Sequence, residues 1–274
     1  MSEAWARGLF LRIISALVLA TATLAAVQAG PPYFGAFVTA AAIIMAWEWG
    51  RLCGDGTFNA TGAALILVIA ATSNFAAFGE PEVALVMTMA APLPLIVLAR
   101  LRHHPHPFWV GLVGVPYLSL PVIAVHWLYL SPASGRMTLL WLLVIVWATD
   151  TAAYFAGKLI GGPLLAPSIS PKKTWAGLGG AMVGAAAAGV AVGLTGGASL
   201  SVPMIAGIAM ILAVVAQGGD LAESFVKRRF GVKDASALIP GHGGLLDRVD
   251  GLMAAAAAFG LFQAVSGTEV LSWR

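Results

Sequence analysis

Acidic and basic side chains recur in the C-terminal half of this chain at spacings that place them on shared helix faces. Asp220, Glu223, Ser224 and Lys227 fall at i, i+3, i+4 and i+7, the repeat of one face of an α-helix. Asp247 and Asp250 stand one turn apart around Arg248, and Asp150, Tyr154 and Lys158 share a further face upstream. Carboxylates gathered at one end of a helical bundle suit two chemistries. They can hold Mg²⁺ together with substrate phosphate oxygens, or they can relay protons or bind Na⁺ in a transporter. The basic residues favour the first. Ser170-Pro171-Lys172-Lys173-Thr174-Trp175 reads as a Ser-Pro turn carrying two ammonium groups and a hydroxyl at a helix N-terminus, where free N–H groups and the helix dipole favour anions. Lys227, Arg228, Arg229 and Lys233 follow, then Pro240-Gly241-His242-Gly243-Gly244. That glycine turn lets backbone N–H groups approach phosphate oxygens. His242 either contacts phosphate or stabilises the turn. Many cations, acids and a glycine turn together suit a polyphosphate.

The elements that carry these residues follow from composition. Of 274 residues, 59% are hydrophobic and 10% charged, with mean hydropathy +0.90, whereas soluble domains carry about 25% charged residues. A water-soluble domain, a disordered chain and a collagen-like repeat are excluded. The lone Cys53 excludes a disulfide scaffold and a multi-cysteine metal site. A span needs about 20 apolar residues. Nine segments qualify, near 11–29, 33–50, 61–78, 83–100, 109–130, 137–157, 176–195, 202–222 and 250–267. Their length and all-round apolarity predict helices rather than barrel strands, so the expected fold is an all-α, polytopic integral membrane bundle. With the N-terminus inside, only Arg136 and Arg274 of the 15 Lys and Arg residues fall outside. That asymmetry predicts an N-in, C-out orientation. Arg7, Arg12 and the Val27-Gln28-Ala29 triplet have the layout of a signal peptide, but the apolar run is longer than a usual signal core and the span is expected to stay. Residues 1–135 form about five N-terminal spans. Residues 136–274 form the catalytic region, with cytoplasmic loops 158–175 and 223–249.

Other positions read as structural. Glu48, three residues before Arg51, predicts a helix-end ion pair. His103, His104 and His106 are interrupted by prolines and have no acid nearby in sequence, so an ordinary loop is expected. His126 reads as interfacial. Trp5, Trp47, Trp49, Trp109, Trp127, Trp141 and Trp273 fall near span ends, as an aromatic belt would place them. Gly180/Gly184 and Gly189/Gly193 predict close helix packing. Pro92, Pro94, Pro116 and Pro121 predict kinks in the fourth and fifth spans.

The run Ser224-Phe-Val-Lys227-Arg228, then Lys233-Asp234, Pro240-Gly-His242-Gly243-Gly244 and Asp247-Arg248-Val-Asp250 resembles the signature of phosphatidate cytidylyltransferases, the CDP-diacylglycerol synthases. Asp150-x-x-Ala-Tyr154-x-x-Gly157 and Ser170-Pro-Lys-Lys-Thr-Trp175 are similar to that family as well. The likeness covers the C-terminal half by motif and residues 1–135 by hydropathy only. Two departures stand out: Ala176 where the family commonly has Glu, and Gly251 where it often has Ser.

The resemblance implies a reaction of CTP with phosphatidic acid that yields CDP-diacylglycerol and pyrophosphate. It also implies a divalent metal, usually Mg²⁺ and with room for a second cation, held by Asp220 and Asp247. A homodimer and a cavity open to cytoplasm and lipid complete what it implies. On this reading Lys172, Lys173 and the segment around Arg228 gather the triphosphate, and Asp250 and Asp150 act as further ligands or orient the others. Ser170, Thr174, Tyr154, Ser224, Lys227, Lys233, His242, Gly243, Gly244 and Arg248 complete the substrate site. The expected partners are CTP, phosphatidic acid and membrane lipid, not nucleic acid, and the expected location is a bacterial inner membrane with the site facing the cytoplasm. Two alternatives stay open: a transferase acting on an ether or polyprenyl lipid phosphate, and a cation-coupled transporter using Asp150 and Asp220.

Overall fold

The computed structural model describes residues 3–132, 134–266 and 271–273, with side chains from residue 10 onward except 12 and 13. The side chains of Glu3, Trp5, Arg7 and Arg12, together with Glu269 and Arg274, lie outside the described residues. Backbone polar groups have no water to bond in hydrocarbon, so apolar runs of this length close their hydrogen bonds internally as helices. The order is α1 (Glu3–Ala29), α2 (Pro31–Cys53), α3 (Ala60–Ala77), α4 (Pro81–Ala90), α5 (Pro92–Leu101), a π-helical turn (Trp109–Gly114), α6 (Val115–Leu130) and α7 (Gly135–Leu159). A hairpin of β1 (Leu164–Ala166) and β2 (Ser170–Thr174) precedes α8 (Trp175–Gly196), α9 (Val202–Arg229) and α10 (Leu246–Ser266).

Counting α4 and α5 together, eight helical stretches among the described residues are long and apolar enough to cross a membrane. Where the ninth is expected, α1 is a continuous helix over Glu3–Ala29, apolar along its described stretch Ile14–Ala29. The prolines act as anticipated in the fourth span, where the chain divides at Ala91 just before Pro92, while Pro121 is accommodated inside α6.

The chain forms two compact units. One comprises Met1–His126 and Arg229–Val249, the other Trp127–Arg228 and Asp250–Arg274. In the first unit α2 and α3 approach through glycines: a Cβ at Gly50 would lie 3.1 Å from the Gly62 Cα. Trp49 is fully buried there and donates from Nε1 to the Trp109 carbonyl at 3.0 Å. His126 is also buried and shares a 3.0 Å hydrogen bond with the Ser73 hydroxyl, which corrects the interfacial reading.

In the second unit α7 and α8 pack through small residues. A Cβ on Gly180 or Gly184 would collide with Ala156 or Ala152, so the glycine spacing serves contacts within the chain. Trp141 is fully buried and donates to the Gly189 carbonyl at 3.0 Å. Trp49 and Trp141 are therefore core residues rather than parts of an aromatic belt. Each indole is buried with its N–H satisfied by a carbonyl, as a buried Trp requires.

Candidate active site

The second unit assembles its polar residues at the C-terminal part of α9. Gly219 explains how α10 comes close there: a Cβ would sit 2.8 Å from the Asp250 carbonyl and 2.5 Å from the Ala254 Cβ. Gly251 answers it, facing the Ala216 carbonyl at 3.3 Å from a built Cβ. Both glycines thus let two backbones meet beside Asp220 and Asp250. As a result, the carboxyls of Asp220, Glu223 and Asp250 are neighbours.

Lysines answer that acid cluster. Lys173 forms a 2.6 Å ion pair with Asp220 and donates to the Gln217 carbonyl at 3.3 Å. Lys227 is buried and pairs with Glu223 at 2.8 Å, one helical turn away. The Ser224 hydroxyl donates to Asp220 at 3.3 Å, and Gln217 Nε2 reaches Asp150 at 3.4 Å. Glu223 and Gln217 belong to this network although neither was among the expected site residues. Glu223 was visible in the i, i+3, i+4, i+7 repeat; Gln217, a neutral residue in an apolar run, gave no signal.

The hairpin delivers Lys173. Ser170–Thr174 is not a turn but a strand, paired antiparallel with β1 so that Ala166 faces Ser170 and Leu164 faces Thr174. The helix N-terminus falls where anticipated: Thr174 caps α8, its hydroxyl accepting from the Gly177 N–H at 3.0 Å. Extended backbone sends successive side chains to opposite faces. Lys172 is accordingly exposed while Lys173 is partly buried against Asp220. Tyr154 and Lys158 do share a face of α7, with Lys158 Nζ 3.4 Å from the phenol oxygen, and both are exposed to solvent or lipid. Arg228 is exposed.

The first unit holds the remaining expected residues in the 229–249 segment. Asp247 is buried at the start of α10, and its Oδ2 accepts from the N–H of Gly244 at 2.7 Å and of Ala235 at 2.9 Å. Positive φ angles at Gly241 (77°) and Gly243 (83°) form the turn before it, conformations that favour glycine. A Cβ at Gly243 would also press on Asp247 Oδ2. His242 is held within this turn, with Nδ1 2.5 Å from the Ser15 hydroxyl of α1. Lys233 and Arg248 are exposed.

Glu48 is the residue whose expected role is overturned. It forms no ion pair with Arg51 among the described contacts; Arg51 instead donates to the Gly56 carbonyl and lies 5.0 Å from the Trp47 ring centre. Glu48 is fully buried and accepts from Ser236 Oγ (2.6 Å), Leu245 N–H (2.8 Å) and Leu246 N–H (2.8 Å). The signal that failed was sequence proximity: an acid three residues from an arginine paired instead with backbone almost 200 positions away.

Beside this segment lies a polar recess of about 420 Å³ lined by Arg51, Asp55, Phe230, Asp234 and Ser236. Asp55 also reaches His106 at 3.4 Å, an acid neighbour that the sequence around the histidines lacked. Burial pushes His104 below the usual imidazole range, His106 adds to that push and Asp55 opposes it.

Asp220 and Asp247, the expected metal ligands, belong to different units. Among the described residues no three His, Cys, Asp or Glu side chains are placed to hold an ion by themselves.

Residues 10–266 match the model of the cytidylyltransferase family. The chain is 38% identical over 270 residues to a phosphatidate cytidylyltransferase of Brucella suis, covering 93% of each chain. It is 36% identical to the phosphatidate cytidylyltransferase of Pseudomonas aeruginosa over 90% of this chain and 94% of the relative. For the Haemophilus influenzae protein of that name the identity is 32%, over 92% and 97% respectively.

Proposed function

The chain belongs to the cytidylyltransferase family, and from that premise we propose that it transfers the cytidylyl group of CTP to phosphatidate, forming CDP-diacylglycerol and pyrophosphate. The observation that carries this reading is the nearly full-length match to phosphatidate cytidylyltransferases in a chain built of apolar helices. Such a chain can present a lipid phosphate at the membrane boundary. Membership of this family sets the transporter aside.

A phosphate monoester carries most of its second charge near pH 7, so a phosphatidate oxygen can attack the α-phosphorus of CTP without a strong general base. The bond from that phosphorus to the bridging oxygen breaks, and pyrophosphate leaves with the electron pair. Catalysis then rests on positioning and charge neutralisation. Lys173 is already aligned by its pair with Asp220, and the exposed Lys172, Arg228, Lys233 and Arg248 supply cations for the triphosphate. Gly243 and Gly244 bring backbone close to it.

The resident cation is proposed to be Mg²⁺, held by Asp220 and Asp247. The donor set fits: both are hard carboxylate oxygens, and Mg²⁺ takes one or two of these with phosphate oxygens and water rather than a full protein cage. Asp247 is oriented by two N–H bonds on its Oδ2. When bound, the metal supplies positive charge at the phosphate oxygens.

The N-in, C-out topology, a bacterial inner-membrane location, a cytoplasmic site and a homodimer belong to the same reading. The contact of Glu48, near the end of α2, with the 235–246 segment supports placing both on one side of the bilayer, as that topology requires.

The test is product formation by purified protein in mixed micelles with CTP, phosphatidate and Mg²⁺. Equal amounts of CDP-diacylglycerol and pyrophosphate are expected. A folded sample that forms no nucleotide-linked lipid from phosphatidate, but does so from an ether or polyprenyl phosphate, would replace the acceptor.

A further inference from the structure

Glu48 lies far in sequence from every motif that suggests chemistry, on the second helix of the half read only by hydropathy. Yet it is fully buried, and both of its carboxyl oxygens are engaged by one short segment. Oε1 accepts from the Ser236 hydroxyl and the Leu245 N–H, and Oε2 from the Leu246 N–H. Helix termini leave their first N–H groups without intrahelical partners. Here a side chain from another helix caps two of those at the start of α10. The next residue is Asp247, whose own Oδ2 binds the Ala235 and Gly244 N–H groups.

The two carboxyls therefore grip the same segment. Glu48 holds 236, 245 and 246, while Asp247 holds 235 and 244. The fit is tight, since a Cβ on Gly244 would sit 2.5 Å from Glu48 Oε1. Buried carboxyls are costly unless fully hydrogen-bonded; among the described residues, this one is satisfied by the segment alone. The geometry points to Glu48 as a positioning residue for the reaction: it fixes the 235–246 segment so that Asp247 is presented in a single orientation. The inference rests on the functional reading above in that it takes Asp247 as a catalytic group.

The chemistry of the donors selects the variant. Glu48→Gln keeps size and shape but turns one acceptor into an NH₂ group facing an N–H or hydroxyl donor. With full-length protein in micelles, kcat should fall by about tenfold or more, the usual cost of losing a group that orients a metal ligand. The KM for CTP should stay within about twofold of wild type, because Glu48 contacts no substrate in this reading. Hydrogen exchange at the Ala235, Gly244, Leu245 and Leu246 amides should quicken without substrate or metal present. A folded Glu48→Gln protein with wild-type kcat, or with unchanged exchange at those amides, would overturn the proposal.

Should Glu48→Gln fail to fold, the Ser236 pair carries the test. Ser236→Ala should lower kcat severalfold and quicken exchange at Ala235, whereas Ser236→Thr, which restores the hydroxyl, should recover both. Wild-type behaviour of Ser236→Ala, or a Thr variant worse than Ala, would overturn it. Since exchange needs no substrate, absence of CDP-diacylglycerol from the wild type would sink the functional reading separately.

Discussion

Asp247 and Asp250 stand one turn apart on α10, yet their surroundings differ. Asp247 is gripped by backbone: two N–H groups on one oxygen, with Glu48 capping the adjoining turn in the same fashion. Asp250 accepts one N–H, from Gly251 at 2.7 Å, and otherwise sits among side chains, next to Asp220 and Glu223, whose charges are answered by Lys173 and Lys227. The contrast extends to the two units. In the first, carboxyls organise a loop; in the second, lysines organise carboxyls. Backbone donors cannot swing away, so the first arrangement fixes geometry. Ammonium groups on flexible stems can exchange partners, so the second is suited to handing a cation to an incoming phosphate.

The largest expected effect tests that contrast directly. Asp247→Asn should lower turnover by about 10²–10³, the scale seen when one preorganised electrostatic group is lost, with membrane insertion intact. Asp250→Asn removes one charge from a crowded trio and should cost less. Steady-state assays of both variants under saturating Mg²⁺ decide the matter. Equal losses would mean that backbone anchoring confers no special role on Asp247, and the distinction between the units would collapse.

Stability offers the next test. Lys227→Met leaves Glu223 buried beside two other acids and should cost about 3–5 kcal/mol, as is typical when one partner of a buried pair is removed. The double variant with Glu223→Gln should recover most of it. Denaturant titration in mild detergent measures both. If the single variant unfolds like wild type, the second unit is not held by its ion pairs.

Lys173 separates binding from folding. Its pair with Asp220 is partly exposed, so its contribution to stability should be small. Its contribution to CTP use should be larger: Lys173→Met is expected to raise the KM for CTP by about tenfold, the worth of one charge-assisted hydrogen bond. The exposed Lys172 should show the same effect more weakly as Lys172→Ala. A change in unfolding midpoint with no change in CTP dependence would reverse the roles assigned to Lys173 and Lys227.

What could be read from sequence divides along the same line. The bundle, the hairpin's lysines and the acid face of α9 were legible because helical period and hydropathy are local properties, and Asp220, Ser224 and Lys227 had only to share one helix. Glu48 was misread because its partners are backbone N–H groups, which every residue but proline carries and no residue type announces. Ser170–Thr174 was misread as a turn because Ser-Pro often starts one; its pairing with Leu164–Ala166 overrode that local preference. Trp49 and Trp141 were placed at the membrane interface by position along the chain, while burial depended on close approaches such as Gly114 against the Trp49 indole and Gly189, whose carbonyl takes the Trp141 N–H.

The smallest expected effect sets one hydroxyl in each unit against the other. Ser236 donates to Glu48 at 2.6 Å, within the range of strong O–H bonds to a carboxylate. Ser224 donates to Asp220 at 3.3 Å, beyond the usual range for an O–H donor. Ser236→Ala should therefore destabilise the protein by about 1 kcal/mol, a typical net value for one hydrogen bond, and Ser224→Ala by only a few tenths. Unfolding midpoints of the two variants, measured side by side, make the comparison. A Ser224→Ala variant that loses turnover while keeping its midpoint would fit a hydroxyl that serves substrate rather than fold. Equal losses of stability at both positions would show instead that the second unit is anchored as rigidly as the first, and the contrast between a fixed loop and an adjustable acid cluster would have to be given up.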